Sequence, residues 1–217
     1  PLPLIISFTI YLFFNLNLLA MNKKPYHHIY KDGELFAFRN LEGGPQRDPN
    51  FKWNWKVFRE EKKKLKIDYP SEHVIDKQVV LKNLEKYESE SYVMWLDHAS
   101  FIIKLGGTTI ITDPVFEKNY GPMIFGPKKY IESPLTLKEI PKINLFLLTH
   151  NHYDHMSIRT IKNFPYKNAK VLTPLKLGKY FTRNGYKKDR VKELDWFDKV
   201  KINDEITITM LPAQHWS

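Results

Sequence analysis

The chain is predicted to be an α/β (α+β) protein, and three observations on its 217 residues lead there. Apolar runs of strand length recur from about residue 91 onward, at 92–96, 101–105, 108–112 and 143–148. Helix-like stretches are interspersed with later strands rather than collected at one end, which is the pattern of mixed α and β layers. A hydrophobic content of 42%, with 14% aromatic residues, suits a packed core and not a disordered chain. Length alone suggests one domain with an appendage.

Residues 1–20 stand apart as an uncharged, mostly apolar segment of about bilayer-spanning length. Three readings stay open: a membrane anchor, a signal segment lacking its first residues, or upstream sequence with the true start at Met21. Residues 21–90 read as an N-terminal extension, with 21–50 a polar, turn-rich arm punctuated by Lys-Asp-Gly, Glu-Gly-Gly-Pro and Asp-Pro. Phe51, Trp55 and Phe58 then recur at helical spacing. That stripe either docks on the core or, with lysines between its rings, lies at a membrane interface.

Residues 91–217 carry the main domain. The runs at 92–96 and 101–105 are strands, and Gly106-Gly107 turns the second into the strand at 108–112. Gly-Pro pairs at 121–122 and 126–127 mark a long loop. The nearly unbroken apolar run at 143–148 is expected of a strand buried on both faces. A helix from Ser157, a strand at 169–173, a helix around 175–183, a strand near 190–194 and a hairpin including 205–211 complete the order.

The net charge is +10 and the chain has no cysteine. A disulfide scaffold, a thiolate nucleophile and a Cys-ligated zinc are thereby excluded. The charge favours anionic partners such as a phospholipid surface, although the basic run at 52–66 also reads as a solvated helix face. No basic-aromatic module of the kind that binds single strands is present, so no nucleic acid is expected.

The chemistry concentrates in His150-Asn-His152-Tyr-Asp154-His155, just after the buried strand. Residues two apart in extended backbone point the same way, so His150 and His152 can reach one ion. The chain then turns toward a helix, which aims Asp154 and His155 at a second position beside the first. Neutral imidazole and carboxylate suit zinc, and two close cations can activate a water and hold both ends of a displacement. His215, 60 positions beyond His155, is the candidate third imidazole of the first set. His98 follows a core strand as either a satisfied structural histidine or a group orienting a ligand. His27, His28 and His73 lie in polar stretches and are expected to be solvated.

The His-x-His-x-Asp-His turn resembles the metal motif of the metallo-β-lactamase superfamily of binuclear zinc hydrolases. Trp-Leu-Asp-His-Ala-Ser at 95–100, Thr-Asp-Pro-Val-Phe at 112–116, Leu-Thr-His-Asn-His-Tyr-Asp-His at 148–155 and Pro-Ala-Gln-His-Trp-Ser at 212–217 narrow it. Together they resemble the family of N-acylphosphatidylethanolamine-hydrolysing phospholipases D, from about residue 35 to the last residue. The resemblance implies an αββα sandwich with the metals at one edge between the sheets. It implies two Zn2+ ions, one held by His150, His152 and His215 and the other served by Asp154 and His155. Asp154 would also act catalytically, steering the attacking oxygen. Asp113 would orient a ligand histidine, where a purely structural reading has it capping the turn before Pro114.

Two features depart from the pattern. Asp97 stands where the family has glycine, and the family's bridging aspartate and final histidine have no counterpart up to Ser217. The chain thus reads as the front part of a sandwich with most of its second sheet missing. The implied partners are a phospholipid substrate and the membrane surface, and a homodimer is compatible with them. The implied location is the cytoplasmic face or a peripheral membrane position, anchored if 1–20 is genuine. Another hydrolase of the fold, of the phosphorylated sugar lactonase type, and a catalytically incomplete metal-binding fragment are the alternatives.

Overall fold

The computed structural model describes residues 25–41, 54, 56, 57, 60, 74–121, 126–129 and 131–215. The expectations for 1–20, for the Phe51, Trp55 and Phe58 stripe and for His73 lie outside them, as does most of the basic run. The described residues fall in two compact units, one formed by 25–41 with 212–215, the other by 54–211.

In the first unit the expected arm is instead a hairpin. β1 (His28–Lys31) pairs antiparallel with β2 (Glu34–Phe38). Asp32 and Gly33 form the turn at φ of 51° and 80°, the left-handed pair that a two-residue hairpin requires. His27 is not solvated but 7% exposed, its ring stacked 6.5 Å from that of Phe38. Strand alternation beside Asp-Gly is what makes the hairpin, and the pairing buries the histidine.

The second unit is mixed α/β, as expected, and is organised on one six-stranded sheet. Its strands are β3 (Tyr92–Asp97), β4 (Ser100–Leu105), β5 (Thr108–Thr112), β6 (Leu145–Leu147), β7 (Lys170–Pro174) and β8 (Val191–Leu194), in that spatial order. The first three pair antiparallel through tight turns, and β5 to β8 run parallel through longer crossovers. Gly106 and Gly107 turn β4 into β5 at φ of 50° and 70°.

Register puts alternate residues on two covered faces. Ile102, Ile111, Phe146 and Val171 stand side by side across four strands and face α1 (Lys77–Lys86), α2 (Ile158–Asn163) and α3 (Gly178–Thr182). Ile103, Ile110 and Leu145 stand side by side on the other face, with Leu172 and Leu194. This second face packs on the hairpin of β9 (Lys199–Lys201) and β10 (Thr207–Thr209). Burial on both faces explains why β6 reads as unbroken apolar sequence.

The helices begin where side chains replace missing backbone partners. Asp76 accepts from the Gln78 N–H (2.8 Å) ahead of α1, and Ser157 accepts from Thr160 N–H (3.0 Å) ahead of α2. The sequence reading has no helix at 77–86, where the chain is mostly polar, and in the structure only Val80 of this helix is buried. Among the described residues no helix is long and apolar enough to cross a membrane.

Phe146 is 1% exposed with rings of Phe164 and Phe181 edge-on at 5.2 and 5.1 Å. Phe146→Ala is expected to lower unfolding stability by about 3–5 kcal/mol in a urea titration; a loss under about 1 kcal/mol would remove it from the packing centre.

Glu139 gives a second check. Its carboxylate binds the Lys77 ammonium and accepts from both Thr136 N–H (2.9 Å) and Thr136 Oγ1 (2.8 Å). Those contacts, Lys77 first, lower its pKa to about 2. A lowered folded-state value means the contribution is present above the ordinary glutamate value and is lost as pH falls toward 2. NMR titration of Lys77→Met should show this carboxyl titrating closer to its ordinary range.

Candidate metal centre

The site forms at the C-terminal ends of the parallel strands β5 and β6, where an open α/β sheet exposes the ends of its loops. Asp113 follows β5 directly and has a left-handed φ of 38°, a conformation more accessible to aspartate than to most residues. Its N–H donates to Leu147 O (3.0 Å), extending the β5–β6 ladder one step. Its own carbonyl accepts from Ser100 Oγ (2.8 Å), which ties in β4. The backbone leaves it no other place.

The Asp113 side chain is 1% exposed, and burying a carboxylate is costly unless it is hydrogen-bonded or paired. Oδ1 accepts from Thr149 N–H (2.7 Å), and Oδ2 accepts from Thr149 Oγ1 (2.5 Å) and faces His155 Nδ1 at 2.8 Å. One carboxylate thus fixes both the entrance and the exit of the histidine turn. Holding Nδ1 leaves His155 to present Nε2, which lies 3.8 Å from Asp154 Oδ2. Imidazole ligands are commonly oriented in this way.

The turn itself is tightened by His155 N–H and Met156 N–H donating to His152 O at 3.0 and 2.7 Å. Buried Met156 anchors its far end. His150 Nε2 approaches His152 Nδ1 to 3.1 Å, and the His150 and His155 rings are 4.0 Å apart. The expected pair and the expected neighbour are therefore brought together. His98 enters from the β3–β4 turn with Nε2 3.0 Å from Asp154 Oδ2 and its ring 5.0 Å from that of His155.

Among the described residues of this unit, donor atoms lie within 4.8 Å of one another in two groups: His98 with Asp154 and His155, and Asp113 with His150 and His155. Nitrogen and carboxylate oxygen without thiolate are suitable donors for a divalent cation. The residues fit such a group. His215 belongs to the first unit, where its N–H donates to Asn40 Oδ1 (3.3 Å).

Residues 108–217 match the beta-lactamase superfamily domain. The chain belongs to that superfamily. N-acyl-phosphatidylethanolamine-hydrolyzing phospholipase D 1 of Caenorhabditis elegans is 32% identical over 203 residues, covering 85% of this chain and 55% of the nematode protein. The mitochondrial N-acyl-phosphatidylethanolamine-hydrolyzing phospholipase D of Saccharomyces cerevisiae is 34% identical over 130 residues, covering 58% of this chain and 27% of its own. A metal-dependent hydrolase of Caldivirga maquilingensis is 32% identical over 126 residues, covering 58% and 49%. The chain spans from 27% to 55% of the length of these relatives.

Within this superfamily member, sequence reasoning passed over Lys129 and Tyr120. Lys129 pairs with buried Asp97, whose pKa is raised by burial against the opposing pull of Lys129. The Tyr120 ring lies 5.5 Å from His98, and burial, then the charges of Asp97 and Asp154, raise its phenol pKa and keep it protonated. Both residues sit in an irregular loop, and nothing periodic marks them.

Asp113→Asn should keep the fold yet weaken divalent-cation binding about 10- to 100-fold in a competition titration, because the substituted amide no longer charges the bond to His155. Unchanged affinity would make Asp113 a turn residue alone.

Proposed function

We propose that the protein is a zinc-dependent phosphodiester hydrolase of the phospholipase D type, acting on N-acylphosphatidylethanolamine to give N-acylethanolamine and phosphatidic acid. The observation that carries metal-dependent hydrolysis is the Asp113 carboxylate holding both ends of a turn that presents three imidazoles and a carboxylate. The choice of substrate draws on the nematode and yeast relatives, whose names state that activity. The +10 charge suits work against an anionic bilayer.

In this reading His150 and His152 serve one cation, with His215 as the third imidazole assigned from sequence, and Asp154 and His155 serve the other. Two such cations supply Lewis acidity at a phosphoryl oxygen and a water acidified near neutral pH. The chain's own residues do the orienting. Asp113 fixes the His155 ring, Thr149 fixes the strand end, and His98 turns the Asp154 carboxylate. Asp154, with its side chain 38% exposed, would hold the second cation and steer the attacking oxygen.

The test is incubation of the full-length protein with N-acylphosphatidylethanolamine and, separately, with a phosphorylated sugar lactone. Release of phosphatidic acid, lost on chelation and restored by Zn2+, is the expected result; turnover of the lactone alone would transfer the site to a lactonase reading. In the full-length protein His152→Ala and His215→Ala are each expected to lower zinc content and turnover by at least about tenfold, because an open ligand position remains on the first cation. Parental zinc content in either variant would strike that histidine from the set.

A further inference from the structure

The last residue of β3 holds a charge where solvent does not reach. Asp97 is 3% exposed, its Oδ2 meets the Lys129 ammonium, and its Oδ1 has no hydrogen-bond partner among the described residues. The Lys129 side chain is 2% exposed. Its Nζ also donates to Val115 O and lies 5.4 Å from the centroid of the Tyr120 ring. Desolvating two charges is costly, and apolar residues of the same volume often stabilise a fold as well or better. Stability therefore does not account for this pair.

Its surroundings do. His98, the next residue, has a left-handed φ of 37°, which a non-glycine residue holds only when neighbours over-determine it. The Trp95 indole N–H donates to His98 O (3.0 Å), and the Tyr120 ring stands 5.5 Å from the imidazole. The imidazole Nε2 then lies 3.0 Å from Asp154 Oδ2. A continuous line of contacts runs from Lys129 to Tyr120 and Asp97, on to His98, and so to the carboxylate of the histidine turn. Glycine, the residue of the family pattern at position 97, has no side chain with which to anchor Lys129.

We propose that Asp97 and Lys129 are positioning residues, a buried clasp that holds His98 and Tyr120 against Asp154 and thereby sets the geometry of the cation position served by Asp154 and His155. The proposal rests on the metal-site reading above. The clasp touches neither substrate nor cation. It acts through His98, and the loop that carries Lys129 is thereby coupled to the site.

Removing one partner strands the other charge in the interior, so Lys129→Met alone is expected to lose thermal stability. Asp97→Gly/Lys129→Met removes both charges and should melt close to the parent. Tyr120→Leu keeps the pair and removes only the ring between it and His98. Titration with Co2+, followed by visible absorption, reads the geometry without turnover. In the double variant and in Tyr120→Leu the second equivalent should bind about tenfold more weakly, with altered d–d bands, and the first equivalent unchanged.

Binding and spectra superimposable on the parent in both would overturn the clasp. Should the double variant fail to fold, Tyr120→Leu decides by itself. A parent that takes up no Co2+ defeats the metal reading and this proposal together, whereas two equivalents in the parent with no change in the variants defeats only this one.

Discussion

A carboxylate with almost no solvent access is costly unless it is paired or hydrogen-bonded, and the way Asp113 meets that requirement shapes the whole centre. Its partners are Thr149, through N–H and hydroxyl, and the imidazole of His155. Because Asp113 is itself pinned to β6 and to Ser100, the turn 149–155 is referred to the sheet and not to the loops around it. Ligands that need placement within fractions of an ångström are best carried on rigid elements, and here the rigidity comes from strand ends.

The sheet supplies that rigidity by being covered twice. The layer from Ile102 to Val171 faces three helices, and the layer with Ile110, Leu145 and Leu172 faces the β9–β10 hairpin. A parallel strand buried on both faces cannot slip by one residue without exchanging its two apolar sets. β6 is only three residues long, yet it sits between β5 and β7 and carries the turn. Register, more than length, locates the histidines.

The loop after β5 is less regular and more specific to this chain. It brings Tyr120 and Lys129 beside the β3–β4 turn, where Asp97 and His98 wait. The centre is thus framed by two carboxylates with different tasks. Asp113 organises the histidine turn through hydrogen bonds with Thr149 and the His155 imidazole, while Asp97 is matched by the buried Lys129 ammonium. Low local dielectric makes both arrangements strong when complete and costly when broken.

By itself the sequence determined the mixed α/β class, the strands from 92 to 112, the buried run before the turn, and the pairing of His150 with His152, since periods of two and unbroken apolar runs are local properties. It also marked His155 and Asp154 by crowding. Helix 77–86 escaped notice because its apolar face is weak, and the β1–β2 hairpin because its strands are short and set among polar, turn-rich sequence. The family resemblance put Asp113 forward to orient a ligand histidine, and only the tertiary structure decided that it grips Thr149 and His155 from 36 and 42 positions away. It alone brought Lys129 to Asp97 across 32. Such contacts depend on how strands stack and loops close, and no spacing along the chain encodes them.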